Sequence, residues 1–269
     1  MNDNAQQLVK EFIAEKLNGD LYALESFDFK TLRDSEKYGA PDRSFDCDDT
    51  NIMRAVYVVL WGDSLPYLSL HDIGSGKNYR GDTMNTFHTM FGREIPEKPG
   101  FFAGLEKYSP SDEMREKVRN FGRLCSNIGN FCILPNRNCR RTTLNCYRGT
   151  NQWRDFFDRF LIELHRVLDN ADAQDDTLKE LVAKNDFCFS KFKGTAGFAG
   201  LRKILLFDDY LDPESELPQE IFPLNYHWKN IEKREQYLLD AEKYLAESER
   251  IILHRADMMI RILAEKLTV

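Results

Sequence analysis

Long hydrophobic runs are the first thing missing from this chain. No segment of its 269 residues reaches the roughly 18 to 20 consecutive apolar positions that a bilayer-spanning helix needs, so a membrane partner is not expected. The opening segment, Met1 to Asp20, has neither the basic head nor the apolar middle of an export signal, and the expected location is the cytoplasm. Cysteine is scarce as well. There are six, none within two to four residues of another, the spacing that structural zinc sites favour. Cys125, Cys132, Cys139 and Cys146 recur every seventh residue, but Pro135 prevents one continuous helix from presenting them as a stripe. Free thiols in a reducing compartment are therefore expected. Long repeats and low-complexity tracts are absent too.

What is present is 42% hydrophobic residues, 12% of the chain being aromatic, which is enough to bury a core in one large domain or two small ones. The net charge of −7 is unevenly spread. From Arg115 to Arg159 there are ten basic residues, nine of them arginine, against three acidic ones, a local +7 that leaves −14 for the remainder. An arginine-rich centre in an acidic protein points to an anionic partner. The other reading is internal neutralisation, with arginines paired to acidic helices elsewhere in the fold.

Periodicity and capping residues predict a mainly α fold with a minor, short-stranded sheet and a long C-terminal helix. Residues 4–17 read as a short amphipathic helix ended at Asn18-Gly19. Asp48-Asp49-Thr50 offers a cap to the apolar run Ile52 to Trp61, and Gly62 closes it. Asp82 reads as the cap of a short helix over Thr83 to Phe91, after a turn region at Gly74 to Gly81. Strands are expected at Tyr67–Ile73, Phe131–Leu134 and within 27–46. Pro96, Pro99, Gly100, Gly104 and Pro110 make 95–110 a loop and a candidate hinge. A helix follows Ser109-Pro110, polar loop fills Asn136 to Gly149, and Thr150 to Leu168 carries a helical apolar period. Shorter helices are expected at Asp176–Lys184 and Thr195–Phe207. Residues 1–228 form one mixed, mostly helical domain in this reading. From Lys229 to Lys266 there is neither proline nor glycine, and Leu238, Leu245, Ile252 and Met259 recur every seven residues. Residues 229–269 are therefore expected as a long helix that packs along the body or pairs with a second copy, although Ser248 and Arg255 interrupt its stripe.

Several short patterns carry resemblances. Arg54, Leu60-Trp61, Leu65-Pro66 and Thr83-Met84-Asn85 are followed by Ile128-Gly129-Asn130-Phe131, Leu134-Pro135-Asn136, Asn145, Arg148-Gly149, Asp158-Arg159-Phe160, and then Phe187, Phe192, Gly194 and Asp208-Asp209. In that order, over roughly residues 45–230, they resemble an uncharacterised bacterial family of unknown function, which implies a bacterial setting and no mechanism. The Ile128 to Phe131 run, with Asn136 and Asn145 beyond it, is also similar to part of the HNH-type nucleases of bacterial restriction and defence systems. That likeness implies nucleic acid as substrate and a defence or toxin-like role. The Asp-His pair of those enzymes has no counterpart upstream: His71 precedes its aspartate and His88 stands in no such setting. Taken by themselves, Gly129 is expected at a positive-φ turn and Asn130 as a loop-fixing residue. Asp48-Asp49-Thr50 with Gly81-Asp82-Thr83 is similar to motifs of the ADP-ribosylglycohydrolases, which implies a divalent metal on Asp48, Asp49 and Asp82. Here the pieces lie about 30 residues apart instead of most of a domain, and helix capping explains both without chemistry. Arg159 and His165 have a spacing like that of some helical ribonucleases, but six helical positions leave the two about 120° apart.

The polar constellation that remains is Asn130, Asn136, Asn145 and Arg148 from loops, with Arg154, Asp155, Asp158 and Arg159 at the start of the 150–168 helix. A loop delivering Arg137, Arg140, Arg141 and Arg148 to a helix N-terminus suits phosphate. The leading functional reading is thus binding of, or action on, nucleic acid or a nucleotide, with phosphate held by Arg148, Arg159, Arg137, Arg140, Arg141, Asn130 and Asn145. The alternatives are a non-catalytic assembly protein, a homo-oligomer through residues 229–266, and a hydrolase with a divalent metal on Asp48, Asp49 and Asp82.

Overall fold

The computed structural model describes residues 3–39, 47–65, 68, 70, 78–84, 91–135, 137, 142–150, 157–169, 175–192, 194, 197–221 and 234–268, with 78–80 and 148–150 as backbone. The chain is mainly α with four short strands among these residues and a long C-terminal helix.

Two helices set the frame. Helix α1 (Asp3–Lys16) buries Ala5, Val9, Phe12 and Ile13, an i, i+4 spacing that puts one apolar face inward. It packs on helix α2 (Asn51–Trp61). The run Ile52, Met53 and Ala55 to Trp61 is buried on every side, as befits a helix with no polar face. Its cap is Thr50, whose hydroxyl accepts from Met53 N at 3.3 Å, rather than Asp49, which is engaged by Arg54. Between the two helices, residues 17–39 form 3₁₀ turns at Leu21–Ser26 and Phe29–Leu32, capped by Asp20 and Asp28. The strand expected within 27–46 is thus replaced over its described part. Short polar caps fix each turn locally, while Phe12, Phe27, Phe29 and Tyr38 knit them edge to face.

The sheet content is two antiparallel pairs. Strand β1 (Asn78–Asp82) pairs with β4 (Phe131–Pro135), with Gly81 opposite Cys132 and Asp82 opposite Phe131. Strand β4 is buried throughout. Strand β1 lies partly where a turn was expected; its polar Asn-Tyr-Arg-Gly-Asp sequence is extended because β4 offers it a ladder. Strands β2 (Glu94–Ile95) and β3 (Lys98–Phe102) form a hairpin around Pro96-Glu97, and helix α3 (Ala103–Glu106) follows directly. The stretch 95–110 is therefore ordered secondary structure for most of its length, with Phe102 and Leu105 in the core. Thr83 and Met84 are not helical, and the helix expected over 85–90 lies outside the described residues, as does most of the strand expected at Tyr67–Ile73.

Helix α4 (Asp112–Leu124) starts at Ser111, which accepts from Met114 N. Helix α5 (Leu144–Thr150) occupies residues expected to be loop. Helices α6 (Phe157–Leu168), α7 (Asp176–Lys184), α8 (Asp186–Phe189) and α9 (Gly197–Leu205) complete the second half of the body; residues 151–156 of the helix expected from Thr150 lie outside the described residues. Helix α10 (Arg234–Leu267) is 34 residues long, about 51 Å at 1.5 Å per residue. The stripe read from the sequence points inward: Tyr237, Tyr244, Leu245, Ile251, Ile252 and Met259 are buried and Leu238 partly so. It covers α2, α4 and the turns at 21–26 and 128–130. The apolar repeat is thus consumed within the chain's own core and is not left as a zipper seam.

Gly129 packs directly against the backbone of α10. Its φ is not positive, contrary to expectation; glycine is required because a Cβ there would collide with the carbonyl of Ile252 and sit 2.8 Å from the backbone N of Ala256. Gly129→Ala is expected to destabilise the fold by about 1–3 kcal/mol, the usual range for an overpacked contact, read as a lower urea midpoint with unchanged slope; a wild-type midpoint would show that the helix can give way.

Candidate functional site

The sequence candidates fall into three structural situations. Asn130 is the first. It is fully buried, and its amide is saturated. Oδ1 accepts from Thr83 Oγ1 at 3.0 Å and Met84 N at 2.8 Å, while Nδ2 donates to Met84 O at 3.2 Å and Cys125 O at 2.9 Å. Two acceptor and two donor places are all an asparagine has, so Asn130 is a positioning residue for the 83–84 segment and not a phosphate ligand. Asn127 supports it, accepting from Gly129 N and donating to Glu25 O. The Ile-Gly-Asn-Phe run is therefore a structural knot joining the sheet, α4 and α10. Asn145 on α5 lies against Gly81 of β1, where any side chain would strike its amide.

The second situation is the carboxylates. Asp48 and Asp49 are both buried in a 3₁₀ turn ahead of α2. Asp49 Oδ1 accepts from Arg54 Nε at 2.7 Å and also from Nη2, a charge-assisted link from the turn to the first turn of α2. Asp82 ends β1 opposite Phe131. Among the described residues no three His, Cys, Asp or Glu side chains are disposed to hold a metal, so the set Asp48, Asp49 and Asp82 does not assemble into a metal centre. The cysteine series is dispersed likewise: Cys132 is buried in β4, Cys146 is exposed on α5, Cys125 follows α4, and Cys139 lies outside the described residues. Burial pushes the Cys125 thiol well above its ordinary pKa.

The third is the arginine-rich stretch, much of which is neutralised internally. Arg115 binds Glu106 at 2.8 Å and Asp112 at 2.6 Å. Lys117 binds Glu242 of α10 at 2.6 Å, Arg119 pairs with Glu116, and Arg123 reaches Asn120 at 3.4 Å. Arg159 is buried, with Nη2 3.2 Å from Glu220. Its neighbour Asp158 accepts from the backbone N–H groups of Arg159 and Ile221, both at 2.8 Å, and so fixes the 220–221 segment. Arg159 and His165 do not converge on one another: His165 turns to Asp169 at 3.3 Å and packs edge-on to Phe198. Arg140, Arg141, Arg154 and Asn136 lie outside the described residues, as does the side chain of Arg148. The backbone of Arg148 is inside α5 and not in a loop, and residues 151–156, where the expected helix begins, lie outside the described residues.

Arg137 differs from these. It is exposed, and its guanidinium lies over the ring of Phe187, 4.6 Å from the centroid. Among the described residues it is the one basic side chain of the stretch given an aromatic face in place of a carboxylate or amide. The backbone beneath it is held by Asn185, a residue not singled out from the sequence. Asn185 is fully buried one position beyond α7. It accepts from Arg137 N at 2.8 Å and donates to Arg137 O at 2.9 Å and Leu181 O at 2.8 Å. The available signal was an asparagine at a helix C-terminus; its partner 48 residues away was not readable. The geometry places a guanidinium over an aromatic ring, where the arginine-rich 137–141 sequence begins.

Compared with protein-family models, characterised proteins and solved structures, the chain matches none.

Removing the Asn185 side chain would take away the partners it gives the N–H and C=O of Arg137. Asn185→Ala is expected to lower stability by about 1–3 kcal/mol in urea unfolding; a loss near zero would mean that the link is not needed to hold Arg137.

Proposed function

We propose that the chain binds a phosphate-bearing ligand, nucleic acid or a nucleotide, on the surface that begins at Arg137. The observation that carries this is Arg137, whose guanidinium lies over the Phe187 ring with no carboxylate partner among the described residues, on a backbone clamped by a buried asparagine. A guanidinium over an aromatic ring can still offer donors to an anion, and planar donor forks match phosphate oxygens. Phe187 beside it is a ring on which a base can stack. Arg140 and Arg141 follow in sequence and would extend the positive track. The defence-type nuclease reading is narrower than this and has only the sequence likeness behind it, since Asn130 serves the fold.

The test is fluorescence anisotropy with a labelled single-stranded oligonucleotide, and in parallel with a labelled nucleoside triphosphate. Binding should weaken steeply from about 50 to 200 mM salt. Arg137→Ala should reduce affinity about tenfold, one lost charge-assisted contact being worth roughly 1.4 kcal/mol, with an unaltered melting curve. Absence of binding by the wild type at low salt removes the proposal.

A further inference from the structure

The Arg137–Phe187 pair is fixed from beneath by one residue. Asn185 is fully buried, and its side chain holds both backbone groups of Arg137, at 2.8 and 2.9 Å. Its own carbonyl accepts from Cys188 N at 2.9 Å and Phe189 N at 3.2 Å, which starts the α8 turn that carries Phe187. Cys188 and Phe189 are buried in the core. The backbones of the cation and of the ring are therefore registered against each other through Asn185. Phe187 is half-buried and Arg137 exposed, with the guanidinium carbon 4.6 Å from the ring centroid.

That placement covers a ring face. The side of Phe187 that carries the guanidinium is closed to another group, while Arg137 itself is open to solvent. A guanidinium has two chemically distinct surfaces. Its N–H groups lie in its plane and bind oxygens, whereas its faces lie against π systems. A lysine in this position would bind phosphate as a point charge and would have no face to offer. Charge alone does not single the spot out either. Lys184 and Asp186, exposed on either side of Asn185, offset one another. What the described residues assemble here is a planar cation backed by a ring.

We propose that Arg137 is a stacking plane for an unpaired base. The base lies on the guanidinium face turned away from Phe187, and the adjoining phosphate meets the N–H groups at its edge. This deepens the phosphate-binding reading of the same surface and rests on it. The ligand class follows from the geometry of nucleic acids. Bases in a duplex lie stacked on their neighbours and present their edges. Bases in single strands and free nucleotides have open faces, which aromatic side chains and arginine planes take up. A bare polyphosphate would use the edge of Arg137 and none of its face. The base is held by its π surface, which every base has. A single strand or a free nucleotide is therefore bound in preference to a base-free ligand of like charge.

The test is fluorescence anisotropy of the full chain at about 50 mM salt with a labelled single-stranded oligonucleotide and with an abasic strand of the same length, which carries the same phosphates. The intact strand should bind about tenfold tighter than the abasic one, the worth of one base stack. Arg137→Lys keeps the charge and removes the plane. It should bring the intact strand down to the affinity of the abasic strand, with abasic binding and the melting curve as in wild type. Phe187→Leu, which removes the ring behind the guanidinium, should lower the preference for the intact strand in the same direction. Competition with a nucleoside triphosphate and with inorganic tripolyphosphate distinguishes the source of the base. A nucleoside triphosphate that displaces the strand where tripolyphosphate does not supports the same stack with a free nucleotide. Equal binding of the intact and abasic strands, or an intact-strand affinity unchanged in Arg137→Lys, overturns the stack and leaves the phosphate reading standing. No binding of either strand by the wild type removes both.

Discussion

A guanidinium in the middle of the core, with carbonyls for partners, fixes this structure. Arg255 is fully buried on the inner face of α10. Its Nε donates to Leu206 O at 3.0 Å, Nη1 to Gly129 O, and Nη2 to Phe131 O and Leu205 O, each at 3.2 Å. The ring of Phe207 lies 5.3 Å from its central carbon. Desolvation lowers its pKa below the ordinary arginine value, the expected direction for a buried cation. What offsets that burial is oriented backbone. Leu205 and Leu206 are at the C-terminal end of α9, where free carbonyls and the helix dipole favour positive charge. Leu206 takes a left-handed φ of 60° to close the helix there. One side chain thus joins the long helix, the Gly129 turn, β4 and the end of α9. A lysine could not do so, since a compact ammonium lacks the planar spread of five donors.

The rest of the architecture follows from that junction. Because Arg255 pulls the Gly129 carbonyl towards α10, residue 129 has no room for a Cβ. With Gly129 fixed, Asn130 can reach across to Thr83 and Met84 and set the end of β1. At the other end of the junction, α9 delivers Arg202 and the acidic segment beyond it to α6 and α10. Three buried arginines therefore have two kinds of partner. Arg255 takes carbonyls that cannot leave without unfolding the helix that bears them. Arg159 and Arg202 take carboxylates of exposed side chains in the 208–221 segment. The first kind ties core elements to one another; the second fastens a surface segment to α6 and α9.

The helical class, the inward stripe of α10 and the apolar period of α6 were legible because each is a local repeat. The Thr50 start of α2 was legible to within one residue. Legibility failed wherever a local signal was overridden by a distant partner. Asn-Tyr-Arg-Gly-Asp reads as a turn and is a strand because β4 pairs with it. Pro96, Pro99 and Gly100 read as loop, yet Pro96-Glu97 is a two-residue turn and Gly100, with φ of 80°, lets the guanidinium of Arg119 lie against the strand. Arg255 was visible only as an interruption of an apolar stripe, and its carbonyl partners lie 49 to 126 residues away. For the candidate sites, the arginine-rich charge was plain in the sequence, but which arginines were already neutralised was not. Glu220 decides that for Arg159 from 61 residues away.

The direct test of Arg255 as the junction is equilibrium urea unfolding of Arg255→Lys, which keeps the charge and removes the fork. A loss of about 3–5 kcal/mol, the range for breaking one partner of a buried charged network, is expected. A variant within about 0.5 kcal/mol of wild type, the scatter of an ordinary surface substitution, would contradict it.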